Sequence, residues 1–245
     1  MSTDARPVFS ITVDFDLVPG RLVQRLNRFM ALAEVNGGEV YAHLPNSGRL
    51  LTAFYPGDSA YLKRCGSRLG RKSIYSVFAI QHGGIMIIVD AQFSNLLARR
   101  LIELGLLSGL DGYIVAKENF RVGEGIGSRL DFMLERSSNK FFVEVKSVTH
   151  VVDGIALFPD APTLRGRLHL RQLMRLLTHG FGAGIIFSVQ RPDAYLVKPN
   201  DYVDPEFAAL LREAIFRGVK VFTLKSTFQP PKTVEVEPNE PRFQP

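Results

Sequence analysis

Two short stretches place charged residues where the surrounding composition is that of buried β-strands. Asp131 lies in "RLDFML" two residues after Arg129, and Glu144 lies in "FVEVKSV" two residues before Lys146. Side chains two residues apart on a strand point to the same face. Glu144 and Lys146 therefore share one face, while the valines that flank Glu144 point towards a core.

The polar sequence "RSSNK" between the two stretches is typical of a turn and predicts an antiparallel hairpin. In such a hairpin Asp131 can lie beside Glu144, and two close carboxylates repel each other unless a cation lies between them. A hard divalent ion prefers oxygen ligands, so we predict that Asp131 and Glu144 bind Mg²⁺ or Mn²⁺. Lys146 could then stabilise negative charge during hydrolysis of a phosphodiester. The alternative is a solvated strand face with cross-strand ion pairs.

The net charge of +6 is compatible with a polyanionic partner, and its distribution is more informative than its sum. Between residues 49 and 72 Asp58 is the only acid, and Tyr55 and Tyr61 lie among the cations Arg49, Lys63, Arg64, Arg68, Arg71 and Lys72. Cations bind phosphates and aromatic rings stack on bases, so we predict that this stretch contacts DNA. The alternative is a solvated loop with ordinary core aromatics.

A second set of cations lies on a helix predicted within "TLRGRLHLRQLMRLLTHG". Arg167, Arg171 and Arg175 are four residues apart, so they lie on the same helical face and are called the arginine row below. Like charges on one face are mildly unfavourable, which suggests a phosphate partner without requiring one. We therefore predict that the arginine row also contacts DNA.

The chain changes character near residue 85. Before it, short β-rich runs alternate with turn sequences such as "NGG" and "YPGD", which predicts a small barrel or sandwich. After it, the order helix, three strands, helix, strand is that of the restriction-endonuclease-like fold. The last segment is proline-rich and polar, which predicts a flexible tail. We predict an α/β (α+β) protein with domains at 1–85 and 86–225 and a tail at 226–245.

Cysteine and histidine usage excludes an internal disulfide and argues against structural zinc. Cys65 is the single cysteine, and the five histidines show no metal-ligand spacing. No stretch approaches the roughly 18 consecutive apolar residues of a membrane span, and the N-terminus lacks the apolar run of a signal peptide. We expect a soluble, cytoplasmic protein without a membrane partner, and its oligomeric state stays open.

The chain resembles the sugar fermentation stimulation protein A family over residues 21–224. The resemblance is carried by "HLPNSGRL", "GSRLDFML", "FVEVKSVT" and "FPDAPTLRGRLHLRQL", in this order. It implies an N-terminal OB-like barrel that binds nucleic acid, followed by a mixed-sheet domain of the PD-(D/E)xK nuclease type. Asp131, Glu144 and Lys146 match the metal and catalytic positions of that motif, and Glu118 falls where the family carries a further glutamate.

These features predict a DNA-binding protein with a metal-dependent nuclease site. The rival hypothesis is a non-catalytic DNA-binding protein, such as a transcriptional regulator of sugar-use genes, as the family name implies. A small-molecule carbohydrate enzyme has no supporting site among the residues. Whether the DNA is single-stranded or double-stranded stays open.

Overall fold

The computed structural model describes residues 8–66, 73–121 and 129–245. Within these ranges the chain forms three α-helices, which are α1 (Ala91–Glu103), α2 (Leu164–Thr178) and α3 (Pro205–Phe216). None of the helices in the described ranges has the length and apolar character needed to cross a membrane. The first turns of α1 and α2 line the candidate site.

Each helix begins after a residue whose side chain caps it. Asp90 precedes α1, Thr163 precedes α2 and Asp204 precedes α3, and each side chain accepts a hydrogen bond from a backbone N–H of the first turn. These N–H groups have no partner inside the helix, so a capping oxygen stabilises the start. The caps therefore determine where the first turns of the helices lie.

The N-terminal half of the chain forms a small β-barrel. The first seven strands are β1 (Phe9–Thr12), β2 (Leu17–Asn27), β3 (Met30–Val35), β4 (Gly38–His43), β5 (Ser59–Arg64), β6 (Tyr75–His82) and β7 (Ile85–Ile88). Six of them form a sheet in the order β4-β3-β2-β5-β6-β7, and a further pairing of β4 with β6 closes it. Alternate apolar side chains such as Leu22, Ala33 and Leu62 fill the interior. The predicted barrel is confirmed, with β7 running past residue 85.

The C-terminal half is a mixed sheet with helices on both faces. The remaining strands are β8 (Ile114–Arg121), β9 (Arg129–Arg136), β10 (Asn139–Val148), β11 (Val151–Val152), β12 (Ile155–Phe158), β13 (Gly182–Val189), β14 (Leu196–Pro199), β15 (Lys220–Gln229), β16 (Thr233–Pro238) and β17 (Arg242–Phe243). Seven strands pair in the order β1-β16-β15-β13-β10-β9-β8, and β11-β12-β14-β17 form a smaller sheet. Val143 and Val145 pack with α1, whereas Phe142 packs with α2 and α3. The predicted mixed α/β architecture is confirmed.

The flexible tail predicted at residues 226–245 is wrong. The segment contains the end of β15, all of β16 and β17, and β16 pairs antiparallel with both β15 and β1. The sequence "TVEVEP" alternates apolar and polar residues, and Val234 and Val236 are buried in the core. Proline content was a poor guide here, because Pro230 and Pro231 lie in the turn between β15 and β16 and Pro238 ends β16. The strands β1 and β16, which are far apart in the chain, therefore pair in the seven-stranded sheet.

Candidate active site

The β9–β10 hairpin brings Asp131 to the backbone of β10. The antiparallel register runs as far as Val143 opposite Phe132. Beyond this pair, the Asp131 side chain accepts a hydrogen bond from the N–H of Val145 at 2.7 Å through Oδ2. Its Oδ1 accepts a second bond from Asn95 of α1 at 3.0 Å. The carboxylate is therefore held next to Glu144 from two directions.

Glu144 is buried at the same place, with 3% of its surface exposed. Its Oε1 accepts a hydrogen bond from Lys146 Nζ at 2.6 Å and also contacts Nδ1 of His169. Its Oε2 is buried without a hydrogen-bond partner in the described part of the chain. A buried carboxylate oxygen without a partner is costly, which makes Oε2 a free ligand position. Asp131, Glu144, Lys146 and His169 are called the carboxylate cluster below.

His169 is a member of the cluster that the sequence analysis did not select. The Nε of Arg165 lies 3.3 Å from Nε2 of His169. A guanidinium can only donate, so Nε2 accepts and the proton of a neutral ring lies on Nδ1, which donates to Glu144 Oε1. His169 is almost fully buried, and burial first of all lowers the pKa of its ring. The one available signal was the four-residue spacing from Arg165, which puts both on one helical face.

The two carboxyl groups of the cluster have opposite pKa directions. Burial, followed by the nearby charge of Glu144, raises the pKa of Asp131 from 3.8 to about 6. Burial also acts to raise the pKa of Glu144, but Lys146 and His169 outweigh it and hold that pKa below its ordinary value. Glu144 is therefore ionised at neutral pH, and a cation beside the pair would favour the ionised form of Asp131 as well.

The cluster lies at the floor of a cleft of about 590 Å³ between the barrel and the C-terminal domain. One wall is formed by Arg28, Phe29 and residues 46–48 of the barrel, and the others include the first turns of α1 and α2. Across residues 8–66, 73–121 and 129–245, no three His, Cys, Asp or Glu side chains form a group suited to a metal. The carboxylates of the cluster that line the cleft are Asp131 and Glu144.

The structure does not bring Glu118 to this cleft. Glu118 pairs with Phe132 in the β8–β9 ladder, one residue away from Asp131, and its exposed carboxylate contacts Arg99 of α1. Arg99 also binds Glu103 at 2.7 Å, so Glu118 belongs to a surface ion-pair network. The Asp131 carboxylate bonds Asn95, one turn before Arg99 on α1, and Glu118 does not line the cleft, which corrects its predicted catalytic role.

The cations between residues 49 and 72 differ in their exposure in the structure. Arg49 and Arg64 are exposed. The ammonium group of Lys63 instead lies 4.0 Å from the centre of the Phe15 ring and is partly buried, and its contact with DNA stays a prediction. The other predicted contacts, Arg68, Arg71 and Lys72, lie outside the described residues.

The arginine row is divided in the same way. Arg167 binds Asp204 at 2.7 Å and also contacts Glu206, so its guanidinium joins α2 to α3. This corrects the predicted DNA contact of Arg167, because its charge is already paired. Arg171 and Arg175 are exposed, and within the described ranges neither forms an ion pair.

The fold and the site define a two-domain protein, an OB barrel followed by a mixed α/β domain with a buried carboxylate cluster. A family model described as the SfsA N-terminal OB domain matches residues 23–89, and one described as the sugar fermentation stimulation protein RE domain matches residues 92–232. The chain belongs to the sugar fermentation stimulation protein family, as the resemblance predicted.

Individual relatives agree with this assignment. A sugar fermentation stimulation protein homolog from Geotalea daltonii is 39% identical over 211 residues, covering 86% of this chain and 90% of the relative. A homolog from Thermoanaerobacter sp. is 38% identical over 207 residues, covering 84% and 88%. The solved structure of Pyrococcus furiosus SfsA in complex with Ca²⁺ superposes with a TM-score of 0.87 at 30% identity, covering 96% of this chain and 98% of that chain.

Proposed function

We propose that the protein binds DNA and hydrolyses phosphodiester bonds with Mg²⁺ or Mn²⁺ held by Asp131 and Glu144. The main support is the buried Oε2 of Glu144, which has no hydrogen-bond partner among the described residues and shares a cleft with the Asp131 carboxylate. Two carboxylates in one cleft are the ligands that hard divalent ions prefer. That the P. furiosus relative was solved with Ca²⁺ also favours a divalent ion.

The residues of the cluster fit distinct tasks in such a reaction. When bound, the ion would polarise a phosphoryl oxygen and lower the pKa of a water molecule. Lys146 offers a positive charge beside Glu144, where it can stabilise the attacking water or the negative charge of the transition state. His169 holds Glu144 through Oε1, which leaves Oε2 without a hydrogen-bond partner among the described residues.

DNA binding is supported by the cations that keep their charges exposed. Arg49 and Arg64 lie on the barrel, and Arg171 and Arg175 lie on α2, with no carboxylate partner in the described ranges. Cations of this kind bind phosphates with little regard to sequence. The order of helices and strands in the C-terminal half is compatible with a PD-(D/E)xK nuclease domain, which supports DNA as the substrate.

The second candidate is a DNA-binding protein without catalytic activity. It is favoured by the small number of carboxylates, because the described residues supply no metal-suited group of three or more His, Cys, Asp or Glu side chains. In this case the cleft and its cations would hold DNA, and the family name would reflect a role in the regulation of sugar use. Cleavage assays separate the two candidates directly.

The test is one incubation series of the full-length protein with single-stranded and double-stranded DNA, in Mg²⁺, Mn²⁺ or chelator. We expect cleavage only with a metal. Asp131→Asn and Glu144→Gln should each lower the rate by at least about 100-fold, the scale on which loss of one electrostatic group acts in an active site. DNA affinity should change less than about twofold, because the exposed cations remain.

Glu213→Gln on α3 is the matched control, since it removes a carboxylate that pairs with Arg217 outside the cleft. It should cleave like the unmodified protein. DNA binding without cleavage in either metal would reject hydrolysis and favour the second candidate.

A further inference from the structure

We infer that the cleft accepts a single DNA strand, one nucleotide at a time, and excludes an intact duplex. In this arrangement Arg28 of the barrel binds the phosphate and Phe29 stacks on the base. The inference rests on the proposed function, because it names the substrate class of the same site. Its support comes from the barrel wall of the cleft and not from the carboxylate cluster.

The barrel wall is fixed to the C-terminal half by a loop at residues 45–52, called the roof loop below. Within it, the carbonyl oxygen of Pro45 accepts a hydrogen bond from the N–H of Ala91 in α1 at 3.1 Å, and the N–H of Leu50 donates to Asp160 Oδ2 at 3.1 Å. A Cβ atom added at Gly48 would overlap the Asp160 carboxylate. Asp160 comes from the opposite half of the molecule, so the loop lies against it without spare room.

A second clamp holds the other end of the roof loop. Arg191, which is 5% exposed, donates to the carbonyl oxygen of Thr52 at 3.0 Å and to that of Thr149 at 3.1 Å. Its other two nitrogens bind Asp193, so every nitrogen of the guanidinium has a hydrogen-bond partner. The roof loop is therefore joined to the C-terminal half at both ends, and its residues 46–48 form part of one wall of the cleft.

The position of the cluster under this wall restricts the substrate. The side chains of Glu144 and Lys146 are only 4% and 12% exposed, so a phosphate must enter the cleft to reach them. The volume of about 590 Å³ lies in the range of roughly 300–1,000 Å³ that holds a drug-sized ligand, which is the size of one nucleotide. In a duplex each base is paired with a second strand across a groove of about 6–12 Å, so a base that enters the cleft must first leave its pair.

Arg28 lines the barrel side of the cleft. Its Nε donates to the carbonyl oxygen of Ser47 in the roof loop at 2.9 Å, and its other nitrogens bind no carboxylate in the described part of the chain. Arg165 lines the cleft from α2 and is itself bound to His169. Two guanidinium groups on separate walls suit a phosphate between them, because both donate to its oxygens.

Phe29 supplies the surface for a base. It lines the cleft, and 47% of its surface is exposed, in contrast to the fully buried phenylalanines of the core. Its ring lies 5.5 Å from the guanidinium of Arg28, so the two side chains form one platform. Bases stack on such rings when they are unpaired, and each stacked base strengthens binding by at least about fivefold.

The experiment measures binding of the full-length protein in chelator, where cleavage does not interfere. Fluorescence anisotropy would compare a labelled single strand, a blunt duplex of the same sequence and that duplex with a single-stranded overhang. Arg28→Gln and Phe29→Ala should each weaken binding of the single strand and the overhang by at least about fivefold. They should change the affinity of the blunt duplex less than twofold. Equal loss for all three DNAs would overturn the inference.

Two matched variants control for loss of charge and of an aromatic ring. Phe216→Ala removes a ring that is 92% exposed at the end of α3, and Arg100→Gln removes an arginine whose side chain is 62% exposed in the last turn of α1. Neither residue lines the cleft, and both variants should bind all three DNAs like the unmodified protein.

Photo-crosslinking keeps the inference testable if a cleft variant fails to fold. A single strand that carries 5-iodouracil should crosslink to the peptide containing Phe29 in the unmodified protein, and the blunt duplex should not. A crosslink from the duplex but not from the single strand, or from neither, would overturn the assignment. If single-strand binding depends on Arg28 and Phe29 but no DNA is cleaved, only the proposed hydrolysis is rejected. If both cleft variants cleave the blunt duplex efficiently, only this inference is rejected.

Discussion

The carboxylate cluster and the arginine row are both sets of charged residues that share a face of one element, yet the structure treats them differently. Asp131, Glu144 and Lys146 come together in one cleft, as strand alternation predicts. In the arginine row, Arg167 is paired with Asp204, while Arg171 is exposed and unpaired within the described ranges. Arginines that share one helical face therefore have different roles.

The difference depends on how far along the chain the deciding partner lies. Lys146 is two residues from Glu144, and a polar turn connects their strand to Asp131, so local geometry is sufficient. Asp204 is 37 residues from Arg167 and caps the start of another helix, α3. A spacing pattern indicates which residues share a face, but only the packing of α2 against α3 determines which of them are already neutralised.

The largest effect that would sharpen this comparison is a loss of stability. Arg167→Gln should lower the free energy of unfolding by about 3–5 kcal/mol, because it leaves the Asp204 carboxylate without a counterion in a position that is 0% exposed. Urea denaturation followed by circular dichroism measures this. Arg171→Gln, on the same helix, is the control, and its free energy of unfolding should change by less than about 0.5 kcal/mol. It should also reduce by about one the slope of DNA affinity against salt concentration on logarithmic scales. Equal stability of the two variants would break the comparison.

The next-largest effect is a pH dependence of the free energy of unfolding, which comes from Asp131. Its pKa of about 6 in the folded protein lies above the ordinary 3.8, so its contribution to stability is fully present below pH 3.8 and is lost as pH rises through about 6. The difference corresponds to about 3 kcal/mol. In chelator, thermal unfolding of Asp131→Asn should therefore depend less on pH between 4 and 7, and parallel profiles for the variant and the unmodified protein would show that Asp131 titrates normally.

The smallest effect concerns His169. His169→Ala should lower the affinity for Mn²⁺ by about 10–100-fold in calorimetric titration, because a residue that orients a metal ligand has an influence of this size. His169→Asn can still donate to Glu144 Oε1 and should recover part of the affinity. Leu168→Ala, an exposed neighbour on α2, is the control. Unchanged affinity in His169→Ala would mean that Lys146 alone positions Glu144.

Much of the fold could be predicted because its signals are local. Alternation of apolar and polar residues indicated the strands of the β9–β10 hairpin, and short β-rich runs between turn sequences indicated the barrel. The predicted order helix, three strands, helix, strand included α1 and α2. The strand β16 carried the same signal in "TVEVEP", but its proline-rich surroundings suggested a flexible tail. Pairing of β16 with β1, more than 200 residues earlier in the chain, has no local signal at all.

The sequence by itself determined the elements, the family and the residues that face the floor of the cleft, since strand and helix periods decide which side chains share a surface. The tertiary structure alone decided that His169 joins Glu144, that Glu118 is drawn away by Arg99, and that Arg28 and Phe29 cover the site. These contacts connect residues from different elements or from both halves of the molecule. Their formation depends on packing and on the competition of charges for partners, and neither can be inferred from spacing along the chain.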